Sequence, residues 1–422
     1  MRSDWKNQAF ELDKEDDLRG YKKEFYLPTG IYLDGNSLGL LSTRAEAAVH
    51  ACIDDWKHRG INGWSEGPDP WFYFADELAA QSAELIGAYP EEVAVTGSIT
   101  VNLHQLLTTF FEPQKNKNTI VMDSLAFPTD VYAVKSQLQL HGLDPDKHLT
   151  FIPSRDGANL EEEDIFKSIT ENTALVLLPS VLYRSGQLLD WKRITEKAHS
   201  YGALIGWDLA HSFGAVPHDL HESGVDFAVW CTYKYANSGP GGTAGLFVHK
   251  KHHGQTPGLA GWFGSDKQKQ FDMEAVFSPA EDASAFQLGT PNVLSMAPLK
   301  GSLEMILEAG IDSLRSRSLK LTSFIREGLQ ELTALDDTLK IVTPELDRGG
   351  HIALTHPDAA RLCKGLKEAG VIPDFRSPDI IRLAPSPLYS SFDDLAETLI
   401  IFEKLLETKS YKKYKNERDI IA

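Results

Sequence analysis

Six short apolar runs between residues 119 and 249 constrain the fold of this chain more than any other feature. Stretches with apolar residues at helical spacing separate most of them, and one such stretch opens on Asp190 and closes on Gly202. Runs that are apolar on both faces and joined by helices predict an α/β fold, a mostly parallel sheet covered by helices. The predicted strands are TIVMD (119–123), LTFIP (149–153), TALVLLP (173–179), ALIGWD (203–208), DFAVWCT (226–232) and AGLFVH (244–249).

The pattern changes near residue 293, where a long helical stretch precedes shorter apolar runs. A chain of 422 residues has room for a large domain and a smaller one. We expect an N-terminal arm and helix over residues 1–60, associated with the small domain. A large domain over 61–295 is expected next, and then a connecting helix with a smaller α+β domain over 296–422.

The net charge limits the kinds of partner that the protein can bind, and the cysteine content indicates its compartment. A formal net charge of -18 disfavours nucleic acid and anionic membranes, because such a surface repels phosphate groups. The three cysteines, Cys52, Cys231 and Cys363, show no CxxC spacing, which favours a reducing compartment. The first residues lack a signal-peptide pattern, and no apolar stretch is long enough to span a bilayer. We therefore expect a cytoplasmic protein.

Two predicted strands end on residues that can do chemistry. ALIGWD ends in Asp208, with His211 just beyond it, and DFAVWCT leads into Tyr233 and Lys234. Ligands of parallel sheets bind at the carboxyl ends of the strands, and a lysine near apolar groups forms an imine with an aldehyde more readily. Taken singly, Asp208 also suits a helix cap or a core salt bridge, and Lys234 suits a side chain reaching into solvent. The following NSGPGG, however, lets the backbone approach a ligand closely.

Two further segments fit the same kind of site. VTGSITVNLHQLL (95–107) predicts a helix whose N-terminus suits a phosphate or an ordinary Ser or Thr cap. After the strand TIVMD comes Phe127, which suits the core or the face of a planar ring. Together an imine-forming lysine, an acid for a ring nitrogen, a phosphate cradle and a stacking face predict pyridoxal 5′-phosphate (PLP) as the cofactor.

The sequence resembles the kynureninase family, PLP enzymes of the aspartate-aminotransferase fold (fold type I). The resemblance implies hydrolytic cleavage of the Cβ–Cγ bond of L-kynurenine to anthranilate and L-alanine, within tryptophan degradation. It also implies activity on 3-hydroxykynurenine and a homodimer with its active sites at the subunit boundary. The motifs that carry it are YLDGNSLGLLS, GWSEGPDPW, TVNLHQLL, FPTDVYA, WDLAHSFG, VDFAVWCTYKYANSGPGG, PGLAGWFG and IRLAPSPLYSSF.

The resemblance also implies roles for individual residues. Lys234 would bind PLP covalently, Asp208 would pair with the pyridine nitrogen, and Tyr233 is a candidate proton donor or phosphate ligand. Arg382 would bind the substrate α-carboxylate, and the other predicted substrate contacts are Ser37 and Trp64. The remaining cofactor contacts, some of them from a partner subunit, would be Ile99, Thr100, Phe127, Pro128, Thr129, Asp130, His211, Trp262 and Thr290.

Two positions depart from the family pattern. Trp64 stands where animal members carry His, which favours kynurenine over 3-hydroxykynurenine, and Thr290 stands where some members carry Asn.

No metal site is expected. His249, His252 and His253 lie beside two lysines that would repel a cation, so we interpret HKKHH as a solvated loop. The HDLH segment (218–221) is interpreted as a surface turn.

Three other functions fit the sequence less well. A cysteine desulfurase of the same fold needs a thiol on a mobile loop, whereas Cys52 and Cys363 fall in predicted helices and Cys231 on a predicted buried strand. An aminotransferase of this fold would need an amino acceptor. A catalytically silent binding protein would not need the lysine, the acid and the arginine together.

Overall fold

The computed structural model describes residues 4–418, and the ends of the predicted first and last segments, residues 1–3 and 419–422, lie outside the described residues. The helices are α1 Trp5–Lys14, α2 Thr43–Arg59, α3 Trp71–Ile86, α4 Ile99–Phe110, α5 Pro128–Leu140, α6 Pro145–His148, α7 Glu162–Ser168, α8 Trp191–Ser200, α9 Val293–Ala309, α10 Ile311–Leu332, α11 Ala359–Glu368 and α12 Phe392–Thr408. The strands are β1 Ile31–Tyr32, β2 Val93–Val95, β3 Thr119–Asp123, β4 Leu149–Ile152, β5 Thr173–Pro179, β6 Leu204–Asp208, β7 Phe227–Trp230, β8 Gly245–Val248, β9 Lys340–Ile341, β10 Ile352–Thr355, β11 Val371–Ile372, β12 Asp374–Arg376 and β13 Ile380–Leu383.

A seven-stranded sheet forms the larger part of the molecule, in the order β2-β8-β7-β6-β5-β3-β4. Its strands run parallel except β8, which is antiparallel to both of its neighbours. The six predicted strands are confirmed as β3 to β8, and DFAVWCT is shorter than predicted because β7 ends at Trp230. The mostly parallel α/β fold predicted from the apolar runs is therefore confirmed.

Alternation along each strand buries both faces of this sheet. In β5, Leu175 and Leu177 pack into one hydrophobic cluster, whereas Val176 and Leu178 pack into another on the opposite face. Each such side chain contributes roughly 1.5–3 kcal/mol on burial, which explains why the strands are apolar throughout. Asp190 caps α8 as predicted, accepting a hydrogen bond from the backbone N–H of Arg193 at 3.2 Å.

A second core lies around a four-stranded antiparallel sheet of order β12-β13-β10-β9. Residues from α10, α11 and α12 fill this core, and Trp5 of α1 packs among them. The N-terminal segment also supplies β1, which pairs in parallel with β11. The start of the chain therefore packs against its C-terminal part, and this contact brings the segment after β1 close to β13. Within the described residues, no helix is both long and apolar enough to cross a membrane.

Candidate active site

A cavity of about 240 Å³ lies at the carboxyl edge of the large sheet, where β5, β6 and β7 end. It brings together most of the residues predicted from the sequence, although these are distributed from residue 37 to residue 382. The predicted residues that line it are Ser37, Ile99, Thr100, Phe127, Thr129, Asp130, Asp208, His211, Tyr233, Lys234 and Arg382.

Lys234 lies beside a neutral histidine. Its Nζ is 3.1 Å from His211 Nε2. Burial, together with the charge of Lys234, lowers the pKa of His211 well below its ordinary value, so the imidazole is uncharged and accepts the hydrogen bond. The proton then lies on Nδ1, which is buried without a partner among the described residues. This pair holds an amine and an open hydrogen-bond donor at the cavity.

Asp208 and Asp130 form a buried carboxyl pair. Burial raises the pKa of both, and the negative charge of Asp208 raises that of Asp130 further. Lys234 and the backbone N–H of Ala210, which donates to Asp208 at 2.7 Å, favour the ionised form of Asp208. The pair therefore carries its proton on Asp130 and its negative charge on Asp208.

Two helices begin at the cavity. Ser98 caps α4 by accepting from the backbone N–H of Val101 at 3.4 Å, which leaves Ile99 and Thr100 in the first turn. Phe127 occupies the N-cap position of α5, and Pro128 follows it at the first helical position. The first N–H groups of a helix lack partners within the helix, so both termini offer donors to an anion.

The segment after β1 closes one side of the cavity. The backbone N–H of Gly39 donates to the carbonyl of Tyr233 at 2.8 Å, and a Cβ at this position would collide with the carbonyl of Lys234. This close approach requires glycine and holds Asn36 and Ser37 at the cavity. Asn36 is fully buried, with neither amide atom hydrogen-bonded to the described chain. Sequence reasoning missed Asn36, although it lies within the quoted YLDGNSLGLLS motif.

Arg382 lies on the same side of the cavity as Ser37 and makes several contacts there. Its guanidinium pairs with the buried carboxylate of Asp374, donates to the carbonyl of Tyr183 at 2.7 Å and reaches Ser37 Oγ at 3.3 Å. Arg376 on the neighbouring strand also lines the cavity and donates to Ser37 Oγ at 3.0 Å. Arg376 was not among the predicted residues, although the alternation in DFRSPDIIR could have indicated it.

Four predicted residues lie outside this cavity. Pro128 is adjacent to it in α5, whereas Trp64 and Trp262 flank the buried ring of Phe263, at ring-centroid distances of 6.1 and 5.9 Å. Trp262 is 47% exposed and lines a separate cavity, and Thr290 is exposed.

The histidines set aside in the sequence form a second charged cluster at the opposite, amino edge of the sheet. The prediction of a solvated loop is wrong. His249 is buried near Glu92, and His252 Nε2 lies 2.8 Å from the buried carboxylate of Asp226. The acidic partners were missed because they are distant in sequence. His221, assigned to a surface turn, lies with Nδ1 2.8 Å from Glu92 Oε1.

Solved structures with this architecture define the class. A cysteine desulfurase from Thermococcus onnurineus NA1 is 20% identical, with a TM-score of 0.75 over 90% of this chain and 95% of that one. A C-DES variant with glycine covalently linked to its PLP cofactor is 19% identical, with a TM-score of 0.75 over 89% and 96%. The fold is that of PLP-dependent enzymes of fold type I.

Sequence relatives define the family. Kynureninase of Geobacillus thermodenitrificans is 54% identical over 98% of this chain and 97% of its own length, and kynureninase of Shouchella clausii is 52% identical over 99% and 98%. The family described as the kynureninase C-terminal domain matches residues 314–402. The chain belongs to the kynureninase family.

Proposed function

We propose that this chain hydrolyses L-kynurenine to anthranilate and L-alanine, with PLP bound through Lys234. The observation that carries the proposal is that Lys234, Asp208 and Arg382 line one cavity in a member of this family. The chain is thus a hydrolase of a carbon–carbon bond in a ketonic substrate, in the kynurenine pathway.

The residues present fit the cofactor. The amine of Lys234 would hold its aldehyde carbon, ionised Asp208 its pyridine nitrogen, and the helix starts at Ile99 and Thr100 its phosphate. Phe127 is 43% exposed and lines the cavity, so its ring is free to cover a flat ligand. Nδ1 of His211, which has no partner among the described residues, supplies a further donor. When bound, PLP supplies an electron sink for carbanions of an amino-acid substrate.

The side chains have distinct tasks in the reaction. Lys234, once free, accepts the proton from the substrate Cα, and His211 beside it fixes the position of its amine. The protonated Asp130 keeps the negative charge on Asp208. Arg382 orients the substrate through its α-carboxylate. Water attacks the side-chain ketone, and Tyr233, whose pKa is raised by burial, remains protonated and able to donate.

The proposal extends to a homodimer in which Trp64, Trp262 and Thr290 complete the site of the partner subunit. Its support is the exposure of Trp262 beside exposed Phe271 and Met273, since contiguous exposed apolar groups mark interaction surfaces. We also propose that the protein is cytoplasmic and that it prefers kynurenine to 3-hydroxykynurenine. We further propose that the chain is divided into an N-terminal arm over residues 1–60, a large domain over 61–295 and a connecting helix with a small domain over 296–422.

One assay tests the activity. Purified protein with PLP is given L-kynurenine and no amino acceptor, and we expect equimolar anthranilate and alanine, measured by fluorescence and amino-acid analysis. Alanine and sulfide from cysteine, with no anthranilate from kynurenine, would favour a desulfurase instead. The buried state of Cys52, Cys231 and Cys363 opposes that alternative.

A further inference from the structure

The guanidinium of Arg382 is almost fully occupied before any substrate binds. A guanidinium has five N–H donors. In Arg382, Nε donates to Asp374, Nη1 donates to the carbonyl of Tyr183 and Nη2 donates to Ser37, while Nη2 also lies in ion-pair contact with Asp374. Within the described chain this leaves one N–H on Nη1 and one on Nη2, and the second of these nitrogens is already held against Asp374. A carboxylate held by two parallel hydrogen bonds needs two donors.

Arg376 has more open donors than Arg382. Its Nε donates to Asp374 at 3.1 Å and one Nη2 donor goes to Ser37 at 3.0 Å, and these are its contacts among the described residues. Both Nη1 donors and one Nη2 donor therefore remain. The side chain is 30% exposed, against 1% for Arg382, and it lines the same cavity.

Ser37 and Asp374 hold the two arginines together. Ser37 Oγ accepts from both guanidinium groups, and Asp374 Oδ2 accepts from both Nε atoms. The strands β12 and β13 are paired so that Asp374 lies opposite Arg382. Two cations thus share one hydrogen-bonded carboxylate, and burial raises the pKa of a second acid, Asp34, although the charges of both arginines partly offset that rise.

We propose that Arg376 is a second binding residue for the α-carboxylate of the substrate, supplying the two-donor fork, while Arg382 supplies the N–H that remains open on Nη1. Ser37 then acts as a positioning residue that fixes the distance between the two arginines, rather than as a direct substrate contact. This inference rests on the proposed function for the identity of the substrate.

The test uses the PLP-loaded enzyme and its Arg376→Gln and Arg376→Lys variants. For Arg376→Gln we expect the KM for L-kynurenine to rise at least 10-fold, with kcat changed less than threefold, because the lost contact acts in binding. Arg376→Lys retains the charge but not the fork, so we expect an intermediate KM. Calorimetric titration with L-alanine and with L-alaninamide, which lacks the carboxylate charge, measures binding without turnover.

The two ligands separate a carboxylate contact from a structural role. We expect Arg376→Gln to weaken L-alanine binding at least 10-fold and L-alaninamide binding less than twofold. The matched control is Arg184→Gln, which removes a charge hydrogen-bonded to the nearby carbonyl of Ser377 but lies outside the cavity, and it should leave both affinities unchanged. Equal weakening of both ligands, or unchanged L-alanine binding, would overturn the inference. Absence of anthranilate from the wild type would instead refute the proposed function, and the alanine comparison would still be decisive for Arg376.

Discussion

Both edges of the large sheet bury carboxylates among nitrogen donors. They differ in whether the buried polar groups have hydrogen-bond partners and in the direction in which the pKa values of the carboxylates shift. At the carboxyl edge, Asn36, His211 and Asp123 each have buried polar atoms without a partner in the described chain, and burial raises the pKa of Asp123 to about 7. At the amino edge, burial alone would raise the pKa of Asp226, but His199, His252 and Lys251 hold it below its ordinary value.

The difference separates a ligand site from a structural cluster. A buried polar group without a partner costs about 1–3 kcal/mol, which folding alone gives no reason to retain. A bound ligand recovers that cost at the carboxyl edge. At the amino edge the protein satisfies its own groups, because Glu92 accepts from the backbone N–H of Lys250 at 2.9 Å and of Tyr89 at 3.0 Å. We therefore expect substitutions at the first edge to change activity and those at the second to change stability.

The largest effect is expected for the lysines. Lys234→Ala removes the amine that we propose binds the cofactor and moves the proton, so kcat should fall by about 10⁴-fold or more. Lys251→Ala removes a partly exposed partner of Asp226 and should leave kcat unchanged at a cost of at most about 1 kcal/mol. Borohydride reduction followed by peptide mass spectrometry should find PLP on residue 234 in the wild type. A trapped adduct on another peptide would contradict the assignment.

The aspartates provide a second test of the contrast. Asp208→Asn should lower kcat by about 10³-fold, since the charge that supports the cofactor is lost, without loss of thermal stability because a buried charge is removed. Asp226→Asn should retain kcat and lose about 3 kcal/mol of unfolding free energy, because the buried carboxylate is the shared partner of His199, His252 and Lys251. Urea unfolding and steady-state kinetics on both variants measure this. A stable, fully active Asp226→Asn enzyme would break the comparison.

The sequence predicts the carboxyl edge better than the amino edge for a physical reason. Asp208, Lys234 and Phe127 each follow an apolar strand, and in a parallel sheet that local pattern is enough to bring them to one edge. The cluster of Glu92, His221 and His249 joins residues from separate parts of the chain, and no local pattern relates them.

Two further features depend on packing that a motif does not encode. Trp64 and Trp262 match the family motifs, but their position outside the cavity within one chain follows from the segments that carry them. The importance of Arg376 becomes visible only when the donors of Arg382 are counted against their acceptors.

Asp34 provides a further test, in which the effect of a substitution on stability depends on pH. Burial, with the charge of nearby Asp374, raises its pKa to about 6. A carboxyl whose pKa is higher in the folded state lowers stability as pH rises from the unfolded value near 4 through 6. Asp34→Asn should therefore stabilise the enzyme by about 2–3 kcal/mol at pH 7.5 and by almost nothing at pH 4. Denaturant unfolding at both values measures the difference, and an equal gain at both would show that ionisation of Asp34 is not its cause.

The smallest effect is expected for metal ions at the amino edge. The ligand atoms of Glu92, His221 and His249 lie within 4.8 Å of one another, a spacing that suits a cation. However, the rings of His221 and His249 stack at 4.9 Å with an interplanar angle of 14°, so their nitrogen lone pairs lie in nearly parallel planes and do not converge. His249 Nδ1 also accepts from the backbone N–H of Lys251 at 3.0 Å.

A chelator or added zinc should consequently leave the melting temperature unchanged. In contrast, His221→Gln should lower stability by about 1 kcal/mol with or without the chelator, because it weakens one hydrogen bond to a buried carboxylate. Stoichiometric zinc in the purified protein, or a melting temperature that rises with zinc in the wild type and not in His221→Gln, would make the amino edge a ligand site too and remove the distinction between the two edges.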